Sequence, residues 1–171
     1  LAEAERKSLV RMLLNARGKK LSDKQEFTIA TAKQTANARF LCTLLEDLAA
    51  FGEFENLDRR ITTCLEAQNT SELYRLLIKR LEADYDSNNK GVVKHFLSLI
   101  WASRHGLDLD HELTPILEQS GITVDQWQNL YVAIEDLFVS LGAVVTFANE
   151  EFSSAVKATY ILDSSTTAAS E

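Results

Sequence analysis

The sequence predicts an all-α fold, a helical bundle followed by a smaller helical domain with at most one short β-strand or hairpin, and three observations lead there. Helix breakers are scarce, with one proline and six glycines in 171 residues, while Leu, Ala, Glu and Lys, which give up little freedom in a helix, are common. Apolar residues recur at i, i+3, i+4 and i+7 in one segment after another, the spacing that gathers them on one helical face. A single run, Ala143 to Phe147, reads as a β-branched strand.

Taken in order, residues 2 to 16 form a first helix with Leu9, Met12 and Leu13 inward, stopped by Gly18. Ser22 caps the next, with Gln25 at capping-box spacing and Phe27, Ile29 and Ala30 as its apolar residues. Phe40, Leu41, Leu44, Leu45, Leu48 and Phe51 then draw one broad stripe on a third helix, which Gly52 ends as a C-cap. Asn56 to Ala67 carries Leu57, Ile61, Cys64 and Leu65. Thr70 or Ser71 caps a helix bearing Tyr74, Leu77, Ile78, Leu81 and Tyr85.

The cluster Asp86 to Gly91 marks a boundary, since Asp, Ser, Asn and Gly gather there between two periodic segments. It divides a helical domain, 1–88, from a second domain, 89–162, with residues 163–171 as a disordered tail. The second domain opens with a helix presenting Val93, Phe96, Leu97, Ile100 and Trp101 and ending at Gly106. A shorter helix around Asp110 to Ser120 begins late or kinks at Pro115. Thr123 caps a long helix on which Trp127, Leu130, Tyr131, Ile134, Leu137, Phe138 and Leu141 form a regular face, ended by Gly142. After the strand, Glu150 to Leu162 returns to helix with Phe152, Val156, Tyr160 and Leu162 inward. Three helices, a short strand and a helix form a winged-helix-like layout with a reduced wing.

A hydrophobic content of 46% supplies a sizeable core. The longest apolar run falls far short of the roughly 20 residues that span a bilayer, and the first ten residues contain no signal-peptide core. A soluble, cytoplasmic protein without membrane partners is expected. Cys42 and Cys64 sit on apolar helical faces without a CxxC pattern, which fits a reducing compartment. The net charge of −7 is uneven: residues 1–80 hold 14 Lys/Arg against 11 Asp/Glu, and residues 81–171 hold 4 against 14. That second half repels nucleic acid, whose non-specific affinity comes from Lys and Arg on phosphates.

Chemistry-bearing patterns are few. Gly18, Lys19 and Lys20 imitate the end of a phosphate-binding loop, but Leu13 stands where the earlier glycine belongs and the preceding segment is helical, so the reading is a helix stop with exposed lysines. His95, His105 and His111, with Asp108 and Asp110 nearby, do not assure the three or four convergent ligands of a metal site, and none is assigned. The acidic pairs at 46/47, 135/136 and 150/151 point about 100° apart on a helix and read as solvated faces or N-terminal charges. No nucleophile stands in a catalytic context, so no enzyme activity and no bound cofactor are expected of this chain.

Thr35, Asn37, Phe40, Leu41, Leu44, Leu45, Glu46, Asp47, Leu48, Phe51 and Gly52 resemble the phrase T-x-N-P-L-F-L-x-x-L-L-E-E-L-R-x-F-G of NACHT-type signalling ATPases of the STAND class, especially the nephrocystin-like members that carry tetratricopeptide repeats. A second phrase, L-x-x-L-W-A-S-R-x-G-L-x-x-x-E-L, is matched by Leu97, Ile100 to Arg104, Gly106 and Leu107, with Glu112 and Leu113 following one residue later than the phrase places them, and a third by Phe147, Ala155, Val156 and Tyr160. The resemblance covers roughly residues 8 to 162. It implies a segment that relays the nucleotide state of an upstream ATPase core to a downstream repeat or effector region of the same chain, with ATP or ADP bound in the full-length protein only. The alternative is a helical protein–protein interaction scaffold that has lost switching. By the same resemblance Asn37, Ala38 and Asn149 would face nucleotide, although Ala38 replaces the family's proline and Asn149 its histidine. Asn149 has a structural alternative as the cap of the helix that starts at Glu150.

Overall fold

The computed structural model describes residues 1–52, 56–86 and 91–162. The chain divides into two compact units, Leu1–Leu73 and Tyr74–Glu171. The expected division at residues 88 and 89, and the expected tail 163–171, lie outside the described residues.

Unit 1 is helical throughout its described residues: α1 (Glu3–Ala16), α2 (Asp23–Thr31), a 3₁₀ turn (Gln34–Ala36), α3 (Ala38–Ala50), α4 (Leu57–Glu66) and the start of α5 (Thr70–Tyr85). α1 packs on α2 and α3, and α4 closes on α2 and α3. The cap at Ser22 forms as the spacing requires: its hydroxyl accepts the Gln25 N–H at 3.3 Å while the Gln25 side chain accepts the Ser22 N–H at 2.9 Å. The inward face of α1 differs from the expected one. Val10 and Leu14 are buried and Met12 is exposed, because the stripe is rotated by about a third of a turn, one residue along the chain. Phe27 is exposed too, lying beneath the Lys7 ammonium.

α3 buries Phe40, Leu41, Leu44, Leu45 and Leu48 as expected. Its end does not use Gly52: the cap is Phe51 in extended backbone (φ −70°, ψ 118°). The Lys19 Nζ instead donates to the Phe51 carbonyl at 2.7 Å and reaches the Leu48 carbonyl at 3.5 Å, putting positive charge where the helix dipole favours it. Asp47 also departs from a solvated face. Its carboxylate is 1% exposed and takes two bonds from Arg60, at 2.7 and 2.8 Å. At the start of α5 the cap is Asn69, whose side chain accepts the Glu72 N–H at 3.0 Å, in place of Thr70 or Ser71.

In unit 2, α6 (Val92–Ala102) precedes a two-residue strand β1 (Leu107–Asp108), a π-helical turn (Leu109–Leu113), α7 (Thr114–Gln119) and α8 (Val124–Ile134). A 3₁₀ turn (Glu135–Leu137) leads to β2 (Phe138–Leu141) and β3 (Val144–Phe147), followed by α9 (Glu150–Val156) and a π-helical end (Lys157–Leu162). The sheet is antiparallel in the order β1-β3-β2, with Leu107 opposite Val145 and Phe138 opposite Phe147. The mostly helical class with a minor hairpin stands as predicted.

Four local expectations change. α6 ends at Ala102 rather than Gly106. Gly106 has φ +89°, and a Cβ there would lie 2.5 Å from Val144 Cγ1 and 3.1 Å from the Val145 carbonyl oxygen, so glycine serves close approach of two strands. The long helix expected to reach Leu141 stops at Ile134, and Phe138 to Leu141 forms a strand that pairs with Val144 to Phe147 around Gly142 (φ +66°) and Ala143. A two-residue loop led by a positive-φ glycine is a hairpin signal, and with it Leu141 becomes exposed rather than inward. Leu162 is likewise exposed. Pro115 sits at the start of α7, after the π turn, where its missing N–H is harmless.

The unit 2 core joins Phe96, Trp127, Leu130, Phe138, Phe152 and Tyr160 with aliphatic residues of α5 to α9. Tyr160 donates its hydroxyl to Glu82 at 2.7 Å. Burial first, and the Glu82 carboxylate second, hold its phenol far above the ordinary 10.0. The folded state therefore keeps a proton that the unfolded chain releases, so this contribution is whole below pH 10 and declines as pH rises beyond it. Urea unfolding midpoints compared at pH 8 and pH 10.5 should fall less for Tyr160→Phe than for the parent chain.

Candidate functional site

Asn37 and Ala38 lie at the start of α3 in unit 1, and Asn149 at the start of α9 in unit 2. Asn37 is exposed and N-caps α3, its side-chain oxygen accepting the Arg39 and Phe40 N–H groups at 2.9 and 3.3 Å. Ala38 is the first helical residue, N1, and is exposed. N1 is the helical position where proline fits without losing a hydrogen bond. An Asn–Pro pair at this point is thus a cap followed by a pre-set helical φ, and Ala38 keeps the architecture while giving up the rigidity.

Asn149 is half-buried in extended backbone (φ −147°, ψ 150°). Its Oδ1 accepts the Phe152 N–H at 2.7 Å and its Nδ2 donates to Tyr74 Oη at 3.2 Å. Both ends of the amide therefore have partners inside unit 2. Asn149→Ala should cost about 1 kcal/mol through loss of the cap, whereas Asn149→Asp should recover most of it. Denaturant midpoints of the three chains check this.

The Gly18–Lys20 segment borders a cleft of about 350 Å³ in unit 1, shared with Leu14, Leu48 and Phe51. Gly18 stops α1 in the left-handed region, φ +68°, as its position in the sequence predicts. Lys19 is half-buried rather than exposed, and its ammonium caps α3 as described above. Lys20 is exposed.

The histidines do not converge. His95 Nδ1 lies 2.8 Å from the Gly91 carbonyl, and His111 stands 3.1 Å from Asp108 on the surface. The Asp108 carboxylate caps the π turn, and bonds from the His111 N–H above all, with the His111 ring and the Asp110 N–H, hold its pKa below the usual value. Among the described residues no group of three or more His, Cys, Asp or Glu is placed to hold a metal ion, and no helix is long and apolar enough to cross a membrane. Cys42 is half-buried and Cys64 buried, and neither forms a disulfide. Burial raises the Cys42 pKa.

A surface that the helical reading of 123–141 concealed lies between α8 and the β2–β3 turn. Asp110, Trp127, Tyr131, Val132, Ser140 and Val145 are among the residues lining a groove of about 310 Å³. Tyr131 Oη and Ser140 Oγ are 3.2 Å apart across it. Val132 on α8 is 66% exposed, and Leu141 at the end of β2 is 76% exposed. The indole of Trp127, only 2% exposed, has no hydrogen-bond acceptor for its N–H. The signal in the sequence that locates this groove is Leu141-Gly142 ahead of Ala143-Val144-Val145, a hairpin turn that a helical stripe across the same residues overrides.

Comparison with known proteins agrees with this architecture in kind. The family described as Nephrocystin 3, helical domain, matches residues 4–149. A TPR repeat-containing protein of Dictyostelium discoideum is 46% identical over 159 residues, which cover 93% of this chain and 10% of that protein. The chain thus spans about a tenth of the length of that relative. No solved structure matches it. The match over residues 4–149, most of the described length, shows that the chain belongs to the Nephrocystin 3 helical-domain family.

Proposed function

We propose that this chain is a non-catalytic protein–protein interaction segment of a longer nephrocystin-like protein, and that unit 2 is a winged-helix-like module directed at protein rather than nucleic acid. The observation that carries the reading is α8. In the order helix, strand, helix, helix, hairpin it takes the place of a recognition helix, yet Val124–Ile134 bears Asp125 and no Lys or Arg. Phosphate binding needs that positive charge, whereas an exposed Val132 on the same helix suits a protein surface.

A second reading, the relay, is supported by the three motif phrases in their family order. In it the segment couples the nucleotide state of an upstream NACHT/STAND-type ATPase to a downstream tetratricopeptide region, in a two-state signalling movement, with Asn37, Ala38 and Asn149 facing ATP or ADP. Asn149 weighs toward the scaffold instead, because its amide is already shared between Phe152 and Tyr74. It carries no positive charge for a phosphate.

The deciding experiment titrates the 171-residue chain with the separately expressed segment that precedes it in the full-length protein, in ADP and in ATP, and with a DNA duplex. Saturable protein binding equal in both nucleotides is expected of the scaffold. An affinity that changes about tenfold between nucleotides, or about 1.4 kcal/mol of coupling, establishes the relay. Retention of the duplex at physiological salt overturns the protein-directed reading.

A further inference from the structure

We propose that the edge of β2 pairs antiparallel with β2 of a second copy of this chain, Ser140 facing Ser140 across a two-fold axis and Val139 of each copy packing on Leu141 of the other. The partner and the surface differ from those of the proposed function, so either assignment can fail alone.

The first observation is an open strand edge. In the order β1-β3-β2, the described residues give β2 one strand neighbour, β3. Leu141 and Val144 close the two-residue loop, and bonded pairs of an antiparallel ladder recur at every second position. The phase is fixed at the far end, where the Ala148 N–H donates to the Leu137 carbonyl at 2.9 Å. Leu137, Val139 and Leu141 therefore bond toward β3, while Phe138 and Ser140 turn their main-chain groups outward. The Phe138 N–H is taken by the Glu135 carbonyl. What remains is the Phe138 carbonyl and both groups of Ser140, a short template for another strand.

The second observation is the apolar face beside that edge. Side chains alternate along a strand, so Val139 and Leu141 share the face opposite Ser140, where they are 46% and 76% exposed. A two-fold axis through Ser140 sets Val139 opposite Leu141 of the second copy, and the reverse. Both are non-bonded pairs, whose Cα atoms approach to about 4.5 Å. At the centre the two Ser140 residues exchange N–H to carbonyl bonds. Each copy thus covers the other's exposed pair with its own, the self-complementarity that an isologous contact requires. A two-fold axis through Val139 would instead call on the Phe138 N–H, which is already bonded.

Size and charge set the strength. A strand of four residues covers much less than the roughly 1,200 Å² of a stable interface. Residues 81–171 hold 14 Asp/Glu against 4 Lys/Arg, so two copies repel until salt screens them. The dimer is therefore weak and gains from salt.

The test is sedimentation velocity and ¹⁵N spectra of the 171-residue chain from about 10 µM to 1 mM, the range in which so small an interface associates. A monomer–dimer equilibrium is expected, with the Ser140 N–H resonance moving downfield as concentration rises. It should tighten several-fold between about 0.05 and 0.5 M NaCl. Val139→Lys and Leu141→Glu, both at exposed positions, should each weaken it about tenfold by placing an unpaired charge in the contact, with circular dichroism unchanged. Mixed one to one, the two variants should associate more tightly than either alone, because the introduced lysine meets the introduced glutamate across the axis. The proposal is overturned if the chain stays monomeric at the highest concentration, if Val139→Lys leaves self-association unchanged, or if the mixture gains nothing.

Discussion

Asp47→Ala is expected to destabilise unit 1 by about 3–5 kcal/mol, the cost of breaking a buried ion pair by removing one member. Asp47 and Arg60 lie 1% and 12% exposed, joined by two short bonds in the fork geometry that guanidinium and carboxylate share. The Cys64 thiol donates to the same carboxylate at 3.5 Å. Without Asp47, a mostly buried guanidinium and the thiol both lose this carboxylate. The pair as a whole is worth far less than that figure, because two charges had to be desolvated to make it. The double substitution Asp47→Leu with Arg60→Met should therefore come back to within about 1–2 kcal/mol of the parent. Urea denaturation of the three chains, followed at constant slope, decides the matter. If the single substitution shifts the midpoint no further than the double, the pair is not held in a dry environment.

Phe96→Ala should cost unit 2 about 3–5 kcal/mol, the range for deleting a fully buried aromatic ring. Phe96 is 0% exposed and stands at the centre of an aromatic group. Its centroid lies 6.2 Å from Trp127, 6.2 Å from Tyr131 and 5.9 Å from Phe138, the last edge-on. Those three neighbours come from α8 and β2, so the ring joins the helix to the hairpin that forms the groove. Loss of the near-ultraviolet dichroism of Trp127, with far-ultraviolet helix retained, is the expected spectroscopic result. Phe96→Leu fills most of the volume and should cost about half as much. Equal effects of the two substitutions would show that ring packing contributes nothing beyond bulk.

Both predictions involve residues whose importance is unequally visible in the chain. Phe96 falls on the apolar stripe of a regular helix and is legible as core from spacing alone. Asp47 is not. It follows Glu46 on a helix surface where charge ordinarily meets solvent, and only the approach of α4, carrying Arg60 and Cys64, buries it. The candidate sites divide in the same way. Asn37 and Asn149 can be recognised as caps because each precedes a helix by one residue, which is chemistry between near neighbours. That Asn149 spends its second polar atom on Tyr74, 75 residues away, follows from the fold.

Local information was thus enough for the helical class, the capping box at Ser22, the stop at Gly18, the stripe of α3 and the family phrases, since helices form from bonds and contacts three or four residues apart. It was not enough where two structures compete for the same residues. Trp127 to Leu141 has a helical rhythm, yet its last four residues gain more as a strand, where Phe138 meets Phe96, Phe147 and Phe152 and the backbone pairs with Val144 to Phe147. The small sheet also takes in Leu107 and Asp108, a piece too short to announce itself by pattern. Gly106 permits that pairing by presenting no side chain to Val144. Strand pairing joins residues distant along the chain, and its energy is decided by partners that no local window contains. For that reason the groove made from α8 on one side and the hairpin on the other belongs to the tertiary structure alone.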